Sequence, residues 1–373
     1  MRKLNLQDAA FLQVETDECP AHIAGLQIFK LPKKDNGTFF RKLMEKFSNG
    51  LEATPPFTWK LHSDVLRLNV WPSWVEDEHF DLDYHVRYTA LPSPGSMDQL
   101  MKLVERLHSR PLDRTRPLWE CYFIEGLADN HVAIYLKIHH ACMDGVAAMS
   151  VMERVLSKSP RTKLVKAFWQ IERPKREQAP KGGLMETLAK TYFSVAGQVR
   201  SLQELSTGAL KSGIGLLTGA QRDAPMPFTA PSTPFNAAIT RHRRFAVHTL
   251  SLPRVRAIAR DLNMTINDVV LAICAGALRR YLHDHDLAPK TPLVAMCPVS
   301  VRLKDAVQEG NQISMTVTTL ATDEPNPINR IRRISASSKE GKARISAMSS
   351  ETATNYALLM NGAVLLSQAI GNA

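Results

Sequence analysis

His131-Val132-Ala133-Ile134-Tyr135-Leu136-Lys137-Ile138-His139-His140-Ala141-Cys142-Met143-Asp144-Gly145 is the stretch whose reading decides the fold of the first half of the chain. From Val132 to Ile138 it has the spacing of a β-strand, in which successive side chains point to opposite faces. Val132, Ile134, Leu136 and Ile138 share one face with His140, while Ala133, Tyr135 and Lys137 share the other with His139. Helical spacing follows from Gly145 to Leu156, so the two histidines stand at a strand-to-helix corner. An imidazole that continues an apolar row is either a satisfied core histidine or a general base kept neutral by burial. The residues alone leave both readings open. Of the two rings, His140 is expected to be the better buried. Asp144 is placed to orient the site by pairing with an arginine, and Gly145 to allow a tight corner.

Three other chemistries fit the same stretch less well. A metal centre needs His139, His140 and Asp144 to converge, and neighbouring strand side chains diverge, so no metal is expected. A nucleophilic Cys142 needs a base at its side that nothing marks. The G-x-S-x-G elbow of serine hydrolases is absent from the sequence.

Working outward, Trp119 to Glu125 and Val132 to Ile138 read as a hairpin around Gly126 and Asp129-Asn130. Asp8 to Glu15 reads as a helix, Ile23 to Phe29 as a strand, and Val65 to Trp71 as a strand ended by Pro72. Ser96 to His108 has helical spacing, with Leu100, Leu103, Val104 and Leu107 on one side. Strands mixed with helices predict an α/β or α+β domain over residues 1–157. Residues 158–235 read as a crossover. It is basic and broken by Pro160, Pro174, Pro180 and Gly182-Gly183, with a helical stretch from Leu184 to Leu217 and prolines again from Pro225 to Pro234. Residues 236–373 read as a second domain. Its expected elements are a strand over Arg244 to Leu252, helices over Arg254 to Asp261 and Ile266 to His283, strands over Thr291 to Val301 and Gln312 to Leu320, and helices over Pro325 to Ala343 and Ser350 to Ile370.

Composition narrows the class of function. With 373 residues, 44% hydrophobic and 22% charged, the chain is globular and long enough for two domains. Its five cysteines are scattered without CxxC spacing, which argues against a disulfide framework or zinc site and fits a cytoplasmic protein. No stretch approaches the roughly 20 apolar residues that span a bilayer. The net charge of +11 favours anionic lipid surfaces or phosphorylated ligands. Nucleic acid is not expected, for want of any finger, RNP or basic-helix signature.

The His139-His140-Ala141-Cys142-Met143-Asp144-Gly145 run is similar to the HHxxxDG signature of CoA-dependent acyltransferases. Its surroundings resemble blocks of the bacterial wax ester synthase/diacylglycerol acyltransferases: His22-Ile23-Ala24-Gly25, Asp81-Leu82-Asp83-Tyr84-His85-Val86, Pro117-Leu118-Trp119, Asn267-Asp268-Val269-Val270 and Pro298-Val299-Ser300-Val301-Arg302. The resemblance runs from about residue 3 to the end. It implies an α/β architecture of two chloramphenicol acetyltransferase-like domains joined by a long crossover, with a tunnel between them. It implies an O-acyltransferase that takes acyl-CoA as a substrate, uses no cofactor, and esterifies a long-chain alcohol or diacylglycerol. The enzyme is then expected at a membrane periphery or lipid inclusion. His140 is the implied general base, with His139 and Gly145 completing the catalytic motif.

By the same likeness Asp144 holds an arginine, here Arg302, in a salt bridge. Pro117, Leu118, Trp119 and Asn311 are candidates for substrate contact, although packing is the expected role of Pro117-Leu118-Trp119. Asn267 and Asp268 are expected to support the structure as a helix cap. Family members continue into further strands and an Asn-Val-x-x-Ser-Asn-x-Pro-Gly-Pro stretch that has no match here, so the second domain is expected to be truncated, with an exposed sheet edge. Two rival readings remain: an acyltransferase or condensation enzyme with a different acceptor, and a non-catalytic lipid-surface protein.

Overall fold

The structure, a computed structural model, describes residues 2–4, 6–33, 37–48, 52–64, 69–143, 145–157, 159, 162, 166–171, 225, 230–300 and 313–348. The chain divides into two compact units, Met1–Glu177 with Ile239–Val247, and Gln178–Ala238 with His248–Ala373. In the first, β1 (Arg2–Lys3), α1 (Leu6–Val14), β2 (His22–Lys30), α2 (Phe39–Ser48), β3 (Trp59–Asp64) and β4 (Asn69–Glu76) come first. They are followed by α3 (Leu82–His85), β5 (Val86–Ala90), α4 (Met97–His108), β6 (Trp119–Leu127), β7 (His131–His139) and α5 (Gly145–Val155). The described elements of the second are α6 (Leu252–Asp261), α7 (Ile266–Asp284), β8 (Val294–Ser300), β9 (Ile313–Thr319) and α8 (Pro327–Ser346).

The main sheet of the first unit has the order β2-β7-β6-β5. Its β5–β6 pair is parallel and the others antiparallel. A parallel pair needs a crossover, and α4 supplies it. Ser96 and Gln99 form a reciprocal capping box that starts this helix. Leu100, Met101, Val104 and Leu107 then bury against Leu91, Tyr122, Ile124, Ala133 and Tyr135. The opposite face of the sheet is covered by an aromatic core that includes Phe40, Phe47, Phe57, Phe123, Phe168 and Trp169. The expected hairpin is present as β6 and β7, closed by a turn in which Asp129 and Asn130 take φ values of 56° and 59°. A second sheet has the order β1-β4-β3.

Burial on both faces changes the reading of β7. The polar row is the more deeply covered one, with Ala133 0%, Tyr135 1%, Lys137 0% and His139 1% exposed. Lys137 is tolerated there because its ammonium is fully used. Nζ donates to the carbonyls of Leu107 (3.1 Å) and Arg110 (3.0 Å) at the C-terminal end of α4, and lies 3.1 Å from Glu120 Oε2. A cation at that end of a helix also meets the negative pole of its dipole. Burial lowers the Lys137 pKa, partly offset by Glu120.

Several sequence expectations change. Pro72 does not end a strand at Trp71 but lies inside β4. It falls where the β3–β4 register shifts between His62 and Asp64, an irregularity that spares the ladder the missing N–H. The strand expected over Arg244 to Leu252 is not formed: Arg244 to Leu250 has no ladder partner among the described residues, and Leu252 opens a helix. Ala167–Ile171 buries within the first unit, because Phe168 and Trp169 complete the aromatic cluster around Trp119. The helices expected over Leu184 to Leu217 and Ser350 to Ile370 lie outside the described residues. In the second unit, β8 and β9 pair antiparallel, and Ala275, Leu282, Leu293, Leu320 and Ile334 form a core.

Removing the Lys137 charge should be costly. Lys137→Met leaves Glu120 and the carbonyls of Leu107 and Arg110 short of a donor, and about 3–5 kcal/mol of stability should be lost. Urea denaturation should detect the loss, and Glu120→Gln in the same background should cost clearly less than in the wild type.

Candidate active site

The corner after β7 is held from both sides by backbone hydrogen bonds. His139 N–H donates to Leu118 O (2.9 Å), next to β6, and His140 N–H donates to Ala21 O (2.9 Å), next to β2. Cys142 N–H then turns back to His139 O (2.9 Å). Two neighbouring imidazoles are thereby fixed in different environments.

His139 is the buried one, at 1% exposure. Its Nδ1 accepts the Ala141 N–H (3.0 Å), so in the neutral ring the proton sits on Nε2, which faces Glu15 Oε1 at 3.5 Å. His140 is half-buried, and its ring stacks on Phe11 with centroids 4.0 Å apart. The sequence pattern gave the deeper burial to His140; the structure reverses this, because α4 and the Glu15 segment cover the other row.

Glu15 has no sequence signal, since it ends a helix in an ordinary polar run. The structure makes it central to the corner. Oε2 receives Nη2 (2.6 Å) and Nε (3.1 Å) of Arg114, and Oε1 receives the Ala21 N–H (3.0 Å). Burial by itself would raise this carboxyl, but His139, Arg114 and the Ala21 N–H outweigh it and hold the pKa at about 2.

Other histidines lie behind the corner, held neutral by burial. His22, paired in register with His139, donates from Nε2 to His108 O (2.8 Å), and His108 Nδ1 bonds Tyr135 Oη (2.8 Å). Burial, with help from the charge on Lys137, pushes His22 down to about 3 and His108 to about 4. His85 donates from Nδ1 to Trp119 O (2.7 Å) and stacks on the Trp119 ring. Burial lowers its pKa as well.

The remaining candidates divide. Leu118 and Trp119 are 1% and 2% exposed, and Trp119 Nε1 donates to Phe57 O (2.7 Å). Their side chains, with buried Pro117, are packed into the core beneath the corner rather than turned to an open surface. Gly145 opens α5 with an ordinary φ and open space around it among the described residues, so the corner does not depend on glycine's conformational freedom. Asp268 forms a capping box with Thr265 at the start of α7 and accepts Ser335 Oγ from α8 (3.1 Å), while Asn267 is exposed. Asp144, Arg302 and Asn311 lie outside the described residues. Among the described residues, no three His, Cys, Asp or Glu side chains gather as a metal site.

Glu15 titrates far below its free value of 4.5, so its contribution is complete above about pH 4.5 and is lost as pH falls to about 2. At pH 7, Glu15→Gln should be less stable than wild type by on the order of 3 kcal/mol. Denaturation curves taken at decreasing pH should show this gap closing in acid.

Comparison with known proteins matches residues 4–270 to the wax ester synthase/diacylglycerol acyltransferase catalytic domain and residues 309–373 to the WS/DGAT C-terminal domain. An O-acyltransferase WSD of Acinetobacter baylyi is 38% identical over 370 residues, spanning 97% of this chain and 77% of that protein. A probable diacylglycerol O-acyltransferase of Mycobacterium tuberculosis is 38% identical over 343 residues, spanning 91% and 73%. The solved wax ester synthase/diacylglycerol acyltransferase of Marinobacter aquaeolei superposes with a TM-score of 0.71 at 32% identity, covering 98% of this chain and 79% of that one. Two matching domain models, relatives above one-third identity and a shared fold give one conclusion: the chain belongs to the wax ester synthase/diacylglycerol acyltransferase family.

Proposed function

We propose that this protein transfers a fatty acyl group from acyl-CoA to the hydroxyl of a long-chain alcohol or diacylglycerol, with His140 as the general base. The observation that carries the assignment of the base is the unequal fate of the two motif histidines. Both nitrogens of His139 are turned inward, one on the Ala141 N–H and the other toward Glu15. His140 is the less buried of the two residues, with its Nδ1 enclosed and its ring stacked on Phe11. A base must reach its proton, so the less buried histidine suits the reaction through Nε2 and the enclosed one suits holding the corner.

In this reading the neutral His140 removes the acceptor hydroxyl proton as the oxygen attacks the thioester carbonyl carbon. The tetrahedral oxyanion collapses, the C–S bond breaks, and the CoA thiolate leaves with the proton from the imidazolium. Ester and free CoA are the products, and no covalent acyl-enzyme forms. The Glu15–His139 pair keeps the strand end rigid, so the attacking oxygen meets an imidazole already in place. The salt bridge between Asp144 and Arg302 belongs to the same proposal, as does substrate contact by Asn311.

Peripheral binding to a lipid surface is the natural complement, since both acceptors dissolve in membranes and the protein carries a net charge of +11. Among the described residues, no single helix is long and apolar enough to cross a bilayer, although the bent α6–α7 pair together passes the same test of length and composition.

His140→Ala should lower the rate of hexadecanol-dependent CoA release by about 10²–10⁴-fold with little change in melting temperature. Asp144→Ala should lower both. Release of CoA by the alanine variant at the wild-type rate would remove His140 from the mechanism. A preference for short polar alcohols over hexadecanol and diacylglycerol would remove the lipid acceptor.

A further inference from the structure

The first unit carries a groove away from the histidine corner, between α4, the end of β5 and the extended segment Ile239–Val247. Its cavity volume is about 830 Å³. The lining holds six cationic side chains, Lys102, Arg106, Arg110, Arg241, Arg243 and Arg244, against the single carboxylate of Glu105. We propose that this groove binds the phosphate-bearing nucleotide end of acyl-CoA, with Arg106, Arg110 and Arg244 as its anion-binding side chains. The proposal rests on the acyl-CoA reading above.

The groove wall is built before any ligand arrives. Arg243 N–H donates to Ser109 Oγ (3.3 Å) and Phe245 N–H to Glu105 Oε1 (3.0 Å), which seats the segment along α4. The Phe245 ring meets His108 edge-on at 5.3 Å. Arg241 pairs with Asp17 (3.2 Å), and the Arg243 guanidinium donates to the carbonyls of Glu18 (2.9 Å), His242 (3.1 Å) and Thr240. Lys102 pairs with Asp98 within α4 (2.7 Å). These three cations are committed to the scaffold.

Arg106, Arg110 and Arg244 are not. All three are exposed, and none has a carboxylate partner among the described residues. Glu105 accepts the Phe245 N–H on Oε1, and its one negative charge is outnumbered by these three guanidinium groups. Uncompensated guanidinium groups repel one another, and a ligand carrying several negative oxygens relieves that repulsion through charge-assisted, often bidentate hydrogen bonds.

Size and wall chemistry favour a nucleotide over a lone phosphate. The volume falls within the roughly 300–1,000 Å³ of small-molecule sites. Leu91, Pro92, Leu103 and Pro111 add apolar surface on which a base can lie. The nucleotide of CoA carries a diphosphate and a 3′-phosphate, which gives each arginine a phosphate to meet. The concave form argues against a membrane, whose headgroups would meet a flat or convex basic face more readily. The groove is tied to the strand that carries the histidines. Its Arg110 end is joined to β7 through the Arg110 carbonyl and Lys137 Nζ (3.0 Å), two residues before His139.

The test uses the full chain, titrated with adenosine 3′,5′-bisphosphate and assayed with palmitoyl-CoA and hexadecanol. The double variant Arg106→Ala/Arg244→Ala should weaken bisphosphate binding and raise KM for palmitoyl-CoA by about tenfold or more, with kcat falling far less. Arg260→Ala, on the second unit, should do neither. Dephospho-CoA should compete more weakly than CoA against the wild type, and that difference should shrink in the double variant. Unchanged bisphosphate affinity and KM in the double variant would overturn the groove assignment while leaving acyl transfer standing. Weaker binding to phosphatidylglycerol vesicles with unchanged nucleotide affinity would overturn it in favour of a lipid surface. Bisphosphate binding that depends on these arginines in a protein forming no ester would uphold the groove and remove the acyl-transfer reading.

Discussion

A single buried ammonium ties the first unit together. Lys137 is wholly enclosed, and an isolated charge there would cost several kcal/mol. Its three acceptors come from two elements, the C-terminal end of α4 and Glu120 on β6. Satisfying one cation therefore fixes the crossover helix, the middle strand and β7 relative to one another. His139 and His140 follow directly along the same strand, so their positions are inherited from that arrangement. The groove beside α4 inherits its floor from the same helix end.

Electrostatics around the corner separate into two kinds. Glu15 and Arg114 form a charged, hydrogen-bonded brace, and Glu15 Oε1 faces His139 Nε2. His22, His85 and His108 are held neutral by burial, and each places a ring nitrogen on a carbonyl or hydroxyl partner. Neutral rings allow dense packing beside Lys137 without adding to its charge. Two histidines adjacent in sequence thus differ in burial and in partners through their surroundings alone.

Much of the first unit was legible from residue patterns. The β6–β7 hairpin was signalled by alternation on both sides of a polar turn, and α4 by Ser96 and a leucine stripe. In the second unit, the Asp268 cap was legible from its place at the start of a helical pattern. Other features were not legible, and each has a physical reason. Period-two alternation identifies two faces but does not say which is covered more deeply, so the apolar row is a poor guide to which of His139 and His140 is the more buried. Lys137 looks like a solvent-facing residue until α4 is laid over it. Glu15 and Arg114 lie far apart along the chain, and nothing local marks their meeting. The segment around Arg243 has strand-like composition, but a strand needs a partner ladder, and its hydrogen bonds go to Ser109 and Glu105 instead.

The pairing of β2 with β7 has a kinetic consequence. The hairpin and α4 are contiguous in sequence and can form from local contacts, whereas β2 must wait for a strand made much later in synthesis. Closing that long loop is entropically slow. Ala21, which anchors His140, and His22, which lies across from His139, arrive together in that late step. The histidine corner thus gains its β2 neighbours only after the centre of the sheet can form from contacts nearer along the chain.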